Sequence, residues 1–238
     1  MILQMTDHNI PGESFVIPDE FGPYRYVRII GKGAFSVVVL AEHHVSKSQF
    51  ACKICQRDDF VDRSILEQFN RELSVLQTVY HPNIVHLHDI IYSDNLVIIV
   101  TEYCECGDLL SMMLNEKISN EIAARKYFID ILEGVSYIHS REISHRDIKL
   151  ENIFVDSNGT AKLGDFGLCH HTAGGLLKTH CGSPLYVAPE IVEAKPYDGK
   201  ALDIWSLGVV LFMITTGTSP WESKNVDKMY QEILECKV

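Results

Sequence analysis

Positive charge is what this chain has least of. Lysine and arginine number 21 against 32 aspartates and glutamates, a net charge of −11 over 238 residues. That balance argues against a nucleic-acid binder and against a partner membrane of anionic lipid. Long apolar runs are missing as well. No stretch reaches membrane-spanning length without polar breaks, and residues 1–10 are too short and polar for a secretory signal. Cysteine is present seven times, yet in no metal or disulfide pattern. Cys52 and Cys55 have zinc-knuckle spacing, but residues 50–55 read as a strand, on which positions three apart face opposite ways. Cys104 and Cys106 lack partners at a suitable spacing, and the histidines are scattered. Thiols without a signal for export predict a reducing, cytoplasmic setting, with access to the nucleus left open. Asn158-Gly159-Thr160 fits a glycosylation sequon, but in such a setting it reads as a turn.

The chain is 46% hydrophobic, enough for one large domain or two small lobes. Residues 144–167 read S-H-R-D-I-K-L-E-N-I-F-V-D-S-N-G-T-A-K-L-G-D-F-G. Two short apolar runs, 153–155 and 161–163, flank Asp156-Ser157-Asn158-Gly159, a strong hairpin-turn signal. Such a hairpin brings its ends together, so Asn152 and Asp165 would meet at one mouth with Asp147 beside them. Oxygen donors of this kind suit a hard cation such as Mg²⁺, and Asp147 is left over as a base.

Residues 1–23 have no sustained period and are expected to be a mobile extension. Strands follow at 26–30 and 37–41, separated by Gly31-Lys32-Gly33-Ala34-Phe35-Ser36. Glycines there let backbone N–H groups approach phosphate oxygens, although a plain hairpin turn is the alternative. A strand follows this loop, where a dinucleotide-binding or Walker-type loop would open a helix. Lys53 lies on the next strand; its alternative is a surface lysine on an edge strand. Residues 62–79 show a helical stripe of Ile65, Leu66, Phe69, Leu73, Leu76 and Val79, with Glu72 inside it. An inward carboxylate needs a cation, since stranding one buried charge costs roughly 3–5 kcal/mol. Lys53 is the economical partner, and a rim glutamate is the alternative.

A strand over 96–100 leads into an extended link over 101–107, and from there the pattern is mostly helical. Residues 120–140 form an amphipathic helix with Phe128, Ile131, Leu132, Val135 and Ile138 inward and Ser119 or Asn120 as cap. A cleft where the two parts meet is where a ligand would sit. Residues 168–183 read as a long loop. Residues 203–216 are apolar on nearly every face, which predicts a buried helix too short for a membrane span. Asp203 at its start would gain from backbone donors and the helix dipole.

In this order, the motifs resemble those of a eukaryotic protein kinase catalytic domain: Gly31-x-Gly33-x-x-Ser36-x-Val38, Ala51-Cys52-Lys53, Glu72, His145-Arg146-Asp147-Ile148-Lys149-Leu150-Glu151-Asn152, Asp165-Phe166-Gly167, Ala188-Pro189-Glu190 and Asp203-x-Trp205-Ser206-x-Gly208. The resemblance implies an α+β, two-lobed fold with a strand-rich N-lobe and a helical C-lobe. The kinase domain would cover 24–238, with an N-lobe over about 24–100, a hinge over 101–107 and a C-lobe over 108–238. Because the chain stops at Val238, the C-lobe is expected to be truncated, leaving Glu190 without its arginine.

The function implied is transfer of the γ-phosphoryl group of Mg-ATP to serine or threonine hydroxyls of protein substrates. Asp147 would take the hydroxyl proton, Lys149 would steady the γ-phosphate, and Lys53, held by Glu72, would bind the α- and β-phosphates. Asn152 and Asp165 would ligate Mg²⁺. Ile30, Gly31, Gly33, Val38, Ala51, Thr101, Glu102, Cys104, Asp108 and Phe154 would surround the nucleotide. His145, Phe166, Leu76 and Leu87 match the stacked residues that couple the lobes, with Asp203 anchoring the catalytic loop. Lys149 matches the serine/threonine form of that loop. Thr179-His180-Cys181-Gly182-Ser183-Pro184-x-Tyr186 resembles the calmodulin-dependent and AMP-activated branch. Thr179 then matches an activating phosphorylation site, which implies an upstream kinase as partner, and its phosphate would pair with Arg146. Glu151 matches a position that in relatives contacts a basic residue upstream of the acceptor. The alternative is a nucleotide-binding pseudokinase or scaffold made inactive by a truncated C-lobe; Lys53, Asp147 and Asp165, all present, favour the enzyme.

Overall fold

The computed structural model describes residues 8–9, 16–33, 36–118 and 120–236. It divides into two compact units. The first comprises the described residues up to Glu67 together with His86–Tyr103; the second comprises Gln68–Val85 and the described residues from Cys104 on.

The first unit is built on strands β1 (His8–Asn9), β2 (Val16–Ile17), β3 (Glu20–Phe21), β4 (Tyr24–Lys32), β5 (Ser36–His43), β6 (Gln49–Gln56), β7 (Leu87–Tyr92) and β8 (Leu96–Glu102). Six of them form one antiparallel sheet in the order β3-β4-β5-β6-β8-β7, while β1 pairs only with β2. Alternation sends Val37, Val39, Ala41, Cys52, Ile54, Ile98 and Val100 to one face, where they join Ile17, Phe21 and Tyr24 in the core. The mobile extension expected over 1–23 therefore gives way from Val16 on: Ile17 is fully buried and β3 extends the sheet. Two-residue strands have no period to read, so only the tertiary contact reveals them. Cys52 and Cys55 both lie on β6 and are buried.

Helix α1 (Arg63–Leu76) runs from one unit into the other. Its part in the second unit buries Phe69, Glu72, Leu73, Val75 and Leu76, so Glu72 lies inward as its place in the stripe requires. Residues 68–85 thus belong with the second unit, not with the strand-rich part.

The second unit continues with β9 (Gly107–Asp108), α2 (Leu109–Leu114), α3 (Glu121–Ser140), β10 (Ile143–Ser144), β11 (Ile153–Val155), β12 (Ala161–Leu163), β13 (His170–His171), α4 (Pro189–Val192), α5 (Gly199–Thr216) and α6 (Val226–Glu235). Asn120 caps α3 through a hydrogen bond from the Ala123 N–H at 2.9 Å; the alternative cap, Ser119, lies outside the described residues. Helix α3 buries Ala124, Ile131, Gly134, Val135 and Ile138, but Leu132 is 39% exposed, against expectation. The expected hairpin is present, with β11 and β12 paired and Gly159 at φ +74° in the turn.

Helix α5 corrects two expectations. It starts at Gly199, capped by Asp198, and its 18 residues are long and apolar enough to cross a membrane by length and composition. What assigns it to the interior is packing: Leu202, Asp203, Ser206, Leu207, Val209, Val210, Met213 and Ile214 are buried. One side nonetheless faces out, with Ile204 58% exposed. Asp203 sits inside the first turns and not at the helix start, so the dipole argument for it falls away.

Candidate active site

In the first unit the strand register gathers one set of predicted residues. Val38 lies opposite Lys53, and Ala51 lies opposite Thr101, all on the sheet face away from the core. Thr101 Oγ1 donates to the Ala51 carbonyl at 3.2 Å. Strand β6 is flanked by β5 and β8, so Lys53 is half-buried on a central strand, which removes the edge-strand alternative. Gly31 pairs with Val38, and a register shift between Ile29 and Gly31 makes Ile30 the extra residue of a bulge. The Gly33 N–H donates to the Ser36 carbonyl at 2.8 Å, closing the turn between β4 and β5; Ala34 and Phe35 lie outside the described residues. Glu102 ends β8, with its N–H on the His86 carbonyl at 3.0 Å and its carboxylate accepting the His86 N–H at 2.7 Å. The strand therefore runs two residues further than expected before the link begins.

In the second unit, Cys104 is buried and its carbonyl accepts the Gly107 N–H at 3.1 Å. Asp108 is the N-cap of α2: its carboxylate accepts the Ser111 N–H at 2.8 Å and the Ser111 hydroxyl at 2.7 Å. Phe154 pairs with Asp108 on one side and Lys162 on the other, so the link from Cys104 to Asp108 is stitched to the hairpin.

The loop that carries His145, Arg146 and Asp147 hangs from Asp203. Its fully buried carboxylate accepts the N–H of His145 at 2.8 Å and that of Arg146 at 2.7 Å, and it meets His139 Nε2 at 2.8 Å. Beyond this anchor, Asp147 Oδ2 meets Lys149 Nζ at 2.7 Å and Asn152 Nδ2 at 3.0 Å. Ser183 Oγ donates to Asp147 Oδ1 at 3.0 Å and accepts from Lys149 Nζ at 2.9 Å. A carboxylate held by a cation, an amide and a hydroxyl has a fixed direction.

Asn152 Nδ2 also donates to the Asp147 carbonyl at 2.9 Å, and the Gly164 N–H reaches the Asn152 carbonyl at 2.9 Å. The hairpin has closed as expected, bringing Asn152 beside the residues that lead to Asp165. Asp165 is exposed at φ +56°, and among the described residues no lysine or arginine pairs with it. Its carboxylate accepts the Gly167 N–H at 3.3 Å. The donor set fits Mg²⁺: one carboxylate and one amide oxygen leave most of the shell to phosphate and water. Among the described residues there is no group of three histidine, cysteine or acidic side chains able to hold a metal unaided. Phe166 is fully buried, its ring edge-on to His145 at 5.0 Å.

Residues 168–183 are less featureless than a loop. Strand β13 pairs with β10, and Leu177 pairs through both backbone groups with Tyr197, at 2.8 and 3.0 Å. The Tyr197 hydroxyl donates to the Thr179 carbonyl at 2.7 Å and accepts from Arg146 Nη1 at 3.2 Å. Burial, with Cys181 next, pushes that phenol up to about 12, so it stays a donor. Arg146 also donates from Nε to the Leu168 carbonyl at 2.7 Å; among the described residues the buried guanidinium has neutral acceptors and no carboxylate. Thr179 itself is exposed. Burial, with the Glu72 carboxylate second, pushes the Cys169 thiol up to about 12. Glu190 is only half-buried, so the large penalty for a fully buried lone carboxylate does not apply.

Sequence reasoning missed Ser183, Tyr197 and His139 as parts of this network. Ser183 and Tyr197 sit in stretches without period, and only proximity across 16 or more residues gives them a role.

Residues 24–238 match the family model described as the protein kinase domain. The chain is 40% identical over 238 residues to serine/threonine-protein kinase SIK2 of Gallus gallus, covering 99% of this chain and 30% of that protein. It is 40% identical to CBL-interacting protein kinase 3 of Oryza sativa subsp. japonica, covering 89% of this chain and 48% of that protein. With serine/threonine-protein kinase SIK1 of Rattus norvegicus it shares 41% identity, over 92% of this chain and 28% of the relative. The chain thus spans between about a third and a half of the length of these relatives. It belongs to the protein kinase family, on the serine/threonine branch that includes the calmodulin-dependent and AMP-activated kinases.

Proposed function

We propose that this chain transfers the γ-phosphoryl group of Mg-ATP to serine or threonine hydroxyls of proteins, and that phosphorylation of Thr179 raises its activity. The observation that carries the proposal is the carboxylate of Asp147, held at once by Lys149, Asn152 and Ser183. Asp147 orients the acceptor hydroxyl and takes its proton as the new O–P bond forms. Lys149, a compact charge already beside Asp147, steadies the phosphoryl group being transferred. Lys53 is assigned the α- and β-phosphates, with Val38 and Ala51 against adenine. Asn152 and Asp165 would hold Mg²⁺, which when bound neutralises charge on the phosphates.

Thr179, exposed and tied by its carbonyl near the buried Arg146, suits modification by an upstream kinase. Its phosphate would offer Arg146 the anion that the guanidinium lacks among the described residues. Glu151, exposed and accepting from the Tyr186 hydroxyl at 3.1 Å, is assigned to a basic residue upstream of the acceptor. A cytoplasmic location is part of the same proposal and rests on the unpatterned cysteines.

The test is phosphoryl transfer from Mg-ATP to a serine peptide with upstream arginines, comparing wild type with Asp147→Asn. Transfer is expected to fall by about 10²–10⁴-fold in the variant while nucleotide binding persists. Equal turnover by both would remove Asp147 from the chemistry. Nucleotide binding without transfer by wild type would favour a scaffold.

A further inference from the structure

We infer that Asp130 and Asn83 are positioning residues for the pair that would hold the metal, Asn152 and Asp165. The inference rests on the proposed role of that pair and goes beyond it, because neither Asp130 nor Asn83 belongs to any motif read from the sequence.

Strand β12 pairs with β11 on one side only, and on the other side no named strand follows among the described residues. An edge strand presents N–H and C=O groups that need partners when water is excluded. Here all four outward groups of Ala161 and Leu163 are matched. The Ala161 N–H donates to Asp130 Oδ2 at 2.9 Å, and the Ala161 carbonyl accepts from Asn83 Nδ2 at 3.0 Å. The Leu163 N–H donates to the Asn83 carbonyl at 2.9 Å, and the Leu163 carbonyl accepts from the Val85 N–H at 2.9 Å. Two side chains and a three-residue segment stand in for a missing strand.

The mount is close-fitting. Asn83 is 3% exposed, and a Cβ on Gly134 would lie 2.6 Å from the Asn83 carbonyl oxygen, so α3 admits the segment only where it carries glycine. Lys126, one turn before Asp130 on α3, pairs with it at 3.2 Å and also donates to the Gly159 carbonyl in the hairpin turn. Helix α3 therefore holds the hairpin at its turn and at the start of β12. The other end of β12 leads directly to Gly164, bonded to the Asn152 carbonyl, and then to Asp165. A shift of β12 along its edge would move both oxygen donors relative to each other. Mg²⁺ demands near-ideal geometry, so its affinity is the property most sensitive to such a shift.

The test is a Mg²⁺ titration of the whole chain with the ATP analogue AMP-PNP, read by thermal stabilisation. Asp130→Ala is expected to raise the Mg²⁺ concentration for half-maximal stabilisation about tenfold, with AMP-PNP binding in EDTA unchanged. Asp130→Asn, whose amide oxygen can accept the same bond, is expected to stay within about twofold of wild type. Amide exchange at residues 163–165, measured without nucleotide, is expected to rise in Asp130→Ala and not in Asp130→Asn. If Asp130→Ala does not fold, Asp130→Ser, too short to reach the Ala161 N–H, is read in the same way. An unchanged Mg²⁺ midpoint with a responsive wild type would overturn the inference alone, as would an equal loss of affinity in EDTA. A wild type whose AMP-PNP binding ignores Mg²⁺ would overturn the metal assignment and the inference with it.

Discussion

Residues 144–167 and residues 168–183 are neighbours in the chain and are held in opposite ways. The first stretch is anchored redundantly. Asp203 takes two of its backbone amides, Asn83 and Asp130 take the edge of β12, and the hairpin closes on itself through Asn152 and Gly164. The second stretch is held at its ends by β13 on β10 and by Ser183, and between them residues 176–181 lean largely on one residue. Tyr197 pairs with the Leu177 backbone and holds the Thr179 carbonyl, while Leu176, Lys178, Thr179 and His180 stay exposed. Rigid placement suits groups that must meet a reacting atom, since a small displacement there costs rate steeply. A sparsely held, exposed segment suits a switch, because a single added charge can then change its position.

The comparison breaks most readily at Asp203. Asp203→Ala leaves two buried amides of the catalytic loop without an acceptor, and a loss of about 3–5 kcal/mol is expected in denaturant unfolding. A loss below about 1 kcal/mol would mean that the first stretch is not anchored there. Tyr197→Phe removes one hydroxyl and keeps the ring; about 1–2 kcal/mol is expected, since one of its three bonds, to Arg146, Thr179 and Cys181, is to a charged group. Its signature is local: faster amide exchange at 177–181 with protection of 145–165 retained. Uniform loss of protection over both stretches would show that they are not independently held.

Thr179→Ala is expected to change the stability of the unphosphorylated chain by less than about 0.5 kcal/mol, since its hydroxyl has no partner among the described residues. If the proposed switch operates, the same variant should show no activation by an upstream kinase; activity equal to that of the phosphorylated wild type would remove Thr179 as the switch. The smallest effect concerns Cys169. With its native thiol pushed up to about 12 by burial first and Glu72 second, it should resist alkylation at pH 8 in the folded chain and react once unfolded. The sign for stability follows from linkage. The folded state keeps its proton longer than the unfolded one, so this contribution is complete below the ordinary thiol range near 9 and is lost as pH rises towards 12. Alkylation of native Cys169 as fast as that of exposed Cys106 would place it outside the closed core.

Much of the first stretch was legible because its signals are local. A turn of Asx and glycine between two apolar runs fixes a hairpin, and the hairpin brings the stretches that carry Asn152 and Asp165 to one end. The stripe containing Glu72 and the alternation around Lys53 are likewise periodic. Legibility fell where periodicity did. The two-residue strands at Val16 and Glu20 were hidden among polar neighbours, and Leu132 fits the α3 stripe by spacing yet stays partly exposed. Helix α5 looks uniformly apolar in sequence, and only its packing separates Leu207 and Val210, buried, from Ile204, exposed.

By itself, the amino-acid sequence determined the order of the chemical groups, the face each occupies on its own strand or helix, and the family to which the chain belongs. Tertiary structure alone decided which remote side chains would satisfy the backbone of the catalytic stretch. Asp203 lies 58 residues beyond His145, and Asn83 lies 78 before Ala161. A polar side chain that completes a distant backbone hydrogen bond leaves no periodic trace in its own neighbourhood. Its role exists only once folding has removed the water that would otherwise have served.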